Sequence, residues 1–172
     1  LACASGQSDA GLREGQTVAM TAPTTDKAQV EIAATPEAVY ALIADVTRMG
    51  EWSPECHTCV WKDGTPGTVG STFKGSNKNG LLRWSTVAKV IAADPGKEFT
   101  FATQAGDRDS TVWRYRLEPT ATGTMLTESY EAVYVPKYIE IAERFILRGR
   151  PAQLQKGMQA TIERIKTVAE SA

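Results

Sequence analysis

The stretch Leu154-Gln155-Lys156-Gly157-Met158-Gln159-Ala160-Thr161-Ile162-Glu163-Arg164-Ile165-Lys166-Thr167-Val168-Ala169-Glu170 decides the fold. Wound at 3.6 residues per turn, Leu154, Met158, Thr161, Ile162, Ile165 and Val168 form one apolar stripe. Lys156, Gln159, Glu163, Lys166 and Glu170 fall on the opposite side. Everything folded ahead of this helix is mostly β in character. One long amphipathic helix laid against a sheet implies a grip around an interior space, and an interior space is where a small ligand goes.

Working outward from that helix, Gly149-Arg150-Pro151 breaks it from an earlier segment of helical period, Tyr138 to Leu147. Before that come six β segments punctuated by turn residues: Cys56–Lys62, Ser71–Asn77, Leu82–Ala92, Glu98–Thr103, Ser110–Glu118 and Thr124–Val135. Asp63-Gly64, Asn79-Gly80, Asp94-Pro95-Gly96 and Ala105-Gly106-Asp107 separate them, with Asn79-Gly80 the strongest hairpin signal. Such short connections join antiparallel neighbours, because a parallel crossover needs a dozen or more residues. Lys27–Ala33 alternates as a first strand. Thr35-Pro36-Glu37 then opens a helix with an N-cap threonine, a proline at the first position and an acid near the positive end of the dipole. Val39, Leu42, Ile43 and Val46 form its buried side. A second short helix, Thr47 to Trp52, stops at Ser53-Pro54.

This order is similar to the helix-grip fold of the birch-pollen-allergen, START and polyketide-cyclase superfamily (SRPBCC), and within it to the polyketide cyclase/dehydrase branch. The stretches that carry the resemblance are Val30-Glu31-Ile32-Ala33-Ala34-Thr35-Pro36-Glu37, Gly50-Glu51-Trp52-Ser53-Pro54-Glu55, Gly75-Ser76-Asn77-Lys78-Asn79-Gly80 running into Arg83-Trp84, Trp113-Arg114-Tyr115, and Gly123-Thr124-Met125-Leu126-Thr127-Glu128-Ser129-Tyr130. They span about Lys27 to Ala169. The resemblance implies an α+β fold in which a seven-stranded antiparallel sheet curves around the C-terminal helix, with two short helices after the first strand. It further implies ligands such as aromatic polyketides, lipids or other planar metabolites.

The bulk numbers narrow the class. The 172 residues suffice for one domain with a substantial core. Net charge is −1, from 19 basic and 20 acidic side chains mixed along the chain, so neither nucleic acid nor anionic lipid is expected as a partner. No apolar run is long enough to span a bilayer. Three cysteines, Cys3, Cys56 and Cys59, make a poor disulfide framework, so a reducing, cytoplasmic setting is expected. Residues 1–25 carry no hydrophobic period and are expected to be a disordered extension, leaving 26–172 as a single ligand-binding domain. Met20-Thr21-Ala22-Pro23 suits a start of translation. The alternative, that Leu1-Ala2-Cys3 ends a lipoprotein signal, lacks a basic and an apolar region ahead of it. A monomer or homodimer is expected.

Alternation along strands sorts the side chains into two sets. Trp113, Tyr115 and Leu117 point inward, with Arg114, Arg116 and Glu118 in water. Phe99 and Phe101 go in. Trp84, Thr86, Ala88 and Val90 go in as well, against Arg83, Ser85 and Lys89, although Val87 and Ile91 blur that strand. Phe73, Gly75 and Asn77 share a face, and so do Leu126, Glu128 and Tyr130. Glu128 and Asn77 thus fall among apolar and aromatic groups. A carboxylate there must be paired, hydrated or protonated. Glu128 is therefore the candidate polar anchor, or a general base with raised pKa; the alternative pairs it with a lysine or arginine, or places it at a wet mouth. The sheet contributes Phe73, Asn77, Trp84, Phe101, Trp113 and Tyr115 as expected ligand contacts. Tyr130 and Trp52, and Leu154, Met158 and Ile162 from the helix, complete the set.

Cys56-His57-Thr58-Cys59 is the stretch that invites a metal or redox reading. At the head of a strand, however, residues three apart point to opposite faces, which hinders both a disulfide and a shared metal. His57, the only histidine, shares the alternation of Cys59 and Trp61 and has no nucleophile partner. No metal and no organic cofactor is expected. Arg144, Arg148 and Arg150 with Glu140 and Glu143 read as a solvated helix face. Capture of a small hydrophobic or amphipathic ligand is the expected function. The alternatives are a cyclase or dehydrase in the same cavity, working without metal or organic cofactor, and an interaction protein with the cavity collapsed. A carboxylic acid within hydrogen-bond reach of an inward-facing tyrosine would favour chemistry over simple carriage.

Overall fold

A computed structural model describes residues 25–135 and 150–171. Residues 1–24 of the expected extension, Cys3 among them, the helical segment Tyr138–Leu147 and the charged residues Glu140 to Arg148 lie outside the described residues, whereas Thr25 already belongs to the first strand.

Seven antiparallel strands form one sheet in the order β1-β7-β6-β5-β4-β3-β2. They are β1 (Thr25–Ile32), β2 (Cys56–Asp63), β3 (Thr72–Asn79), β4 (Leu82–Asp94), β5 (Glu98–Ala105), β6 (Arg108–Pro119) and β7 (Thr124–Ala132). Between β1 and β2 lie helix α1 (Pro36–Ala44) and a 3-10 helix, Val46–Glu51. Helix α2 (Arg150–Glu170) crosses the concave face. The second short helix expected from sequence is thus present in the tighter 3-10 form, which the Ser53-Pro54 step cuts off after six residues.

Curvature has local causes. Register shifts interrupt β2 at Cys56/Thr58 and Trp61/Asp63, β4 at Val90/Ala92, and β6 at Asp109/Thr111, where Ser110 is the extra residue opposite the Thr103/Gln104 step of β5. Each extra residue bends its strand and adds twist. In β4 the alternation holds up to the shift: Val90 is buried, whereas Val87 and Ile91 are apolar residues exposed on the outer face, and it is their presence there that blurs the two faces in sequence. The β3–β4 hairpin differs by one residue from the Asn79-Gly80 turn expected. Asn79 pairs with Leu82, so the loop is Gly80-Leu81, with Gly80 at φ 60°. A glycine first in a two-residue loop supplies the positive φ that hairpin twist requires.

Helix α2 is anchored at its C-terminal end. Lys166 Nζ donates to the Glu31 carbonyl at 2.7 Å, and the Ala33 N–H donates to Glu170 Oε1 at 2.8 Å. Ile162, Ile165 and Ala169 pack this half solidly against Ile32, Val39, Ile43 and Leu126. Toward the N-terminal half the stripe thins to Leu154, Gly157 and Met158, and the filling stops. One half of the helix closes the core and the other roofs a space.

Helix α1 starts as its sequence dictates, with Thr35 Oγ1 accepting the Ala38 N–H at 3.3 Å and proline at the first position. Thr35→Ala is expected to cost about 1 kcal/mol, read as a shift in urea midpoint at constant slope. An unchanged midpoint would mean that the cap contributes nothing.

Candidate functional site

A cavity of about 240 Å³ lies between the concave face and the N-terminal half of α2. An apolar cavity of roughly 150 Å³ accommodates benzene, so this one suits a molecule of about one to two fused rings. Its floor is built by alternation: Phe73 and Asn77 from β3, Trp84 and Thr86 from β4, Phe101 from β5, Trp113 and Tyr115 from β6. Leu154 and Met158 form the roof. Ala88 sits between the two phenylalanines on β4; its small side chain lets the Phe73 and Phe101 rings meet edge-on at 5.1 Å. Asn77 is held by donating Nδ2–H to Thr86 Oγ1 at 3.2 Å.

Glu128 is the polar centre of this chamber. It is 3 % exposed and lies directly across from Tyr115 in the β6–β7 register. The Tyr115 hydroxyl donates to Glu128 Oε1 at 2.9 Å. Oε2 is buried and has no hydrogen-bond partner among the described residues. Burial pushes the Glu128 carboxyl up to about 8, against the smaller downward pull of the tyrosine hydrogen bond. Burial, the neighbouring carboxyl and its hydrogen bond hold the Tyr115 phenol well above its usual range. At neutral pH, then, Glu128 is mainly a neutral carboxylic acid and Tyr115 a neutral phenol. The lysine or arginine partner that sequence left open is absent among the described residues, and Glu128 faces the interior rather than a wet mouth.

Three residues expected at the ligand lie outside the lining. Trp52 is 2 % exposed in the core, with the Arg48 guanidinium 5.8 Å from its ring. Ile162 belongs to the solid half of α2. Tyr130 supports Trp113 from the neighbouring strand, ring centroids 5.4 Å apart.

One wall was not foreseen. Met49, Ser53 and Pro54 from the segment before β2, with Cys56 and Cys59, close the cavity beside Gly75. The bulge at Cys56/Thr58 reverses the parity argument, so both cysteines turn inward, with their Sγ atoms 3.3 Å apart. His57 is exposed, on the opposite side from Cys59 and Trp61. Strand alternation alone cannot reveal a bulge. The Cys-x-x-Cys spacing was the available signal.

Fold and site together define a helix-grip protein with a buried carboxyl inside an aromatic cavity. The family model described as polyketide cyclase/dehydrase and lipid transport matches residues 24–170, and the chain belongs to that family. A polyketide-cyclase-like protein of Corynebacterium glutamicum is 33% identical, covering 86% of this chain and 91% of that one, with a TM-score of 0.59. A Thermus thermophilus protein shares the fold at 13% identity, 86% and 97% coverage and a TM-score of 0.66. The di-domain aromatase/cyclase of the steffimycin biosynthetic pathway shares it at 14% identity over 86% of this chain and 49% of that one, TM-score 0.64. No curated protein matches the chain in sequence. Among the described residues, no helix is long and apolar enough to cross a membrane, and no group of three or more His, Cys, Asp or Glu side chains could hold a metal ion.

Proposed function

We propose that the chain binds a small, planar, carbonyl-bearing hydrophobic molecule in this cavity and anchors its oxygen on Glu128. The observation that carries the reading is the Glu128 carboxyl, buried among rings, with one oxygen occupied by Tyr115 and the other without a partner among the described residues. A neutral acid held this way keeps its proton for a ligand acceptor on Oε2. A carbonyl or phenolic oxygen is the partner that would satisfy it. The aromatic walls supply affinity and flatness.

The Glu128–Tyr115 pair meets the condition that favours chemistry over simple carriage, an acid within hydrogen-bond reach of an inward-facing tyrosine, and so supports cyclase or dehydrase chemistry on the bound molecule as the second reading. An acid hydrogen-bonded to a ligand carbonyl promotes its enolisation. The same proton, passed to a β-hydroxyl, lets that group leave as water while the Glu128 carboxylate so formed takes up the α-proton, which restores the acid. Membership of a polyketide cyclase/dehydrase family supports this without naming the substrate.

Calorimetric titration with 2-acetylnaphthalene and with 2-ethylnaphthalene, equal in shape but unequal in acceptor, tests the anchor. At pH 7 the ketone is expected to bind about tenfold more tightly, the increment of one well-shielded hydrogen bond. Glu128→Leu is expected to erase that preference while leaving the hydrocarbon's affinity intact. Equal affinities in the parent protein would remove Glu128 from the site, and no saturable binding of either compound would remove the cavity.

A further inference from the structure

Cys56 and Cys59 are used by nothing in the reading above. Both are free, 4 % exposed and directed into the cavity. Their sulfurs stand 3.3 Å apart, and Met49 Sδ lies 3.8 Å from Cys59 Sγ. In register, Cys56 faces Asn77 and Cys59 faces Gly75, so the bulge makes the pair equivalent to next-but-one neighbours on one strand face. Two strand rises separate such α-carbons by about 6.6 Å. That lies inside the window of roughly 4.4–6.8 Å over which a disulfide closes. A β-carbon at Gly75 would come within 3.5 Å of Cys59 Sγ and 3.6 Å of Cys56 Sγ, so glycine leaves both sulfurs room to rotate.

We propose that Cys56 and Cys59 form a redox-active dithiol, oxidised to an intramolecular disulfide by a hydroperoxide that reaches them through the ligand cavity. The two thiols differ in readiness. Either sulfur can donate in their contact; that contact holds Cys56 below the usual thiol range despite its burial and, with burial, pushes Cys59 up. Cys56 is therefore the attacking sulfur. Its thiolate displaces the alcohol of the hydroperoxide, breaking the O–O bond and forming a sulfenic acid. Cys59 then attacks that sulfur, forming the S–S bond and releasing water. Overall two thiols and one ROOH yield one disulfide, one ROH and one water. The two sulfurs also lie within electrostatic reach of the Tyr115 hydroxyl, so oxidation acts next to the Glu128 anchor.

The dithiol chemistry stands independently of the proposed ligand; only the route of access rests on that reading. In the full chain carrying Cys3→Ser, so that the third thiol cannot take part, treatment with tert-butyl hydroperoxide is expected to remove both remaining thiols and lower the mass by 2 Da. Dithiothreitol is expected to restore them. With Cys59→Ser added, Cys56 should accumulate as a sulfenic acid that dimedone traps. With Cys56→Ser instead, Cys59 should react at least tenfold more slowly. Over-oxidation without disulfide formation, or equal rates for the two single-cysteine chains, would overturn the proposal. Saturating 2-acetylnaphthalene is expected to slow oxidation at least fivefold. Oxidation at an unchanged rate while calorimetry shows binding would overturn the cavity route, whereas disulfide formation without any ligand binding would overturn the ligand reading and leave the dithiol standing.

Discussion

Unfolding in urea is expected to show this protein at its most stable near pH 5 and progressively weaker up to about pH 8. The cause is one residue. Glu128 titrates near 8 in the folded chain, against 4.5 for an exposed glutamate. Below pH 4.5 both folded and unfolded chains hold the proton, and stability is unaffected. Between 4.5 and 8 the unfolded chain releases it while the folded chain keeps it, so rising pH favours unfolding by about 1.4 kcal/mol per pH unit. Above 8 both states are ionised and the loss is complete, at about 5 kcal/mol. A loss of that size is a large part of the roughly 5–15 kcal/mol that stabilises a domain. Glu128→Gln keeps the shape and the hydrogen bond to Tyr115 but cannot ionise. Its stability should stay level across the window, near the parent's at pH 5 and several kcal/mol above it at pH 9. Parallel curves for parent and variant would show that Glu128 is ionised or hydrated in the folded state, and the neutral anchor would go with it.

The placement of Glu128 could be read from its strand, because Leu126, Glu128 and Tyr130 alternate without interruption and β7 carries no bulge. Its partner could not. Tyr115 faces it through the β6–β7 register, and a single sequence contains no register between strands joined by a turn of open length. Turn residues exposed the strands themselves, since glycine, proline and asparagine are required locally wherever the chain reverses. Parity failed where the backbone departs from strict alternation. The extra residue at Cys56/Thr58 turned a pair expected on opposite faces into neighbours, whereas in β4 the expected faces held and Val87 and Ile91 are apolar residues on the outer side. Likewise, Ile162 and Trp52 satisfy the pattern of inward residues, yet they fill core rather than line cavity. Periodicity distinguishes inside from outside; it does not distinguish a filled interior from a hollow one. That difference arises from where α2 rests on the sheet, a property of the assembled fold.

Gly50→Ala is expected to be the most damaging single-methyl addition near the site. A β-carbon there would stand 2.1 Å from the His57 carbonyl oxygen and 2.9 Å from its carbon, both backbone atoms. No rotamer change relieves such a contact. Either the 3-10 helix lifts away or β2 is displaced, and the expected cost is 3 kcal/mol or more, with Tm lower by about 10 °C. Gly67→Ala provides the comparison, because Gly67 has φ 77° and open space around it. There the penalty is confined to left-handed backbone, about 1–2 kcal/mol. If the two variants lose the same stability, close approach at Gly50 is not what fixes this wall. The consequence reaches the cavity through the chain itself: Gly50 adjoins Met49, and His57 adjoins Cys56. Separating the two segments moves the thioether and the thiol apart together. Under conditions where Gly50→Ala remains folded, its affinity for 2-acetylnaphthalene should therefore fall, while that of Gly67→Ala should not. A glycine that touches no ligand thus determines the width of the chamber, because it sets how closely the first helical segments can approach the strand that forms its far wall.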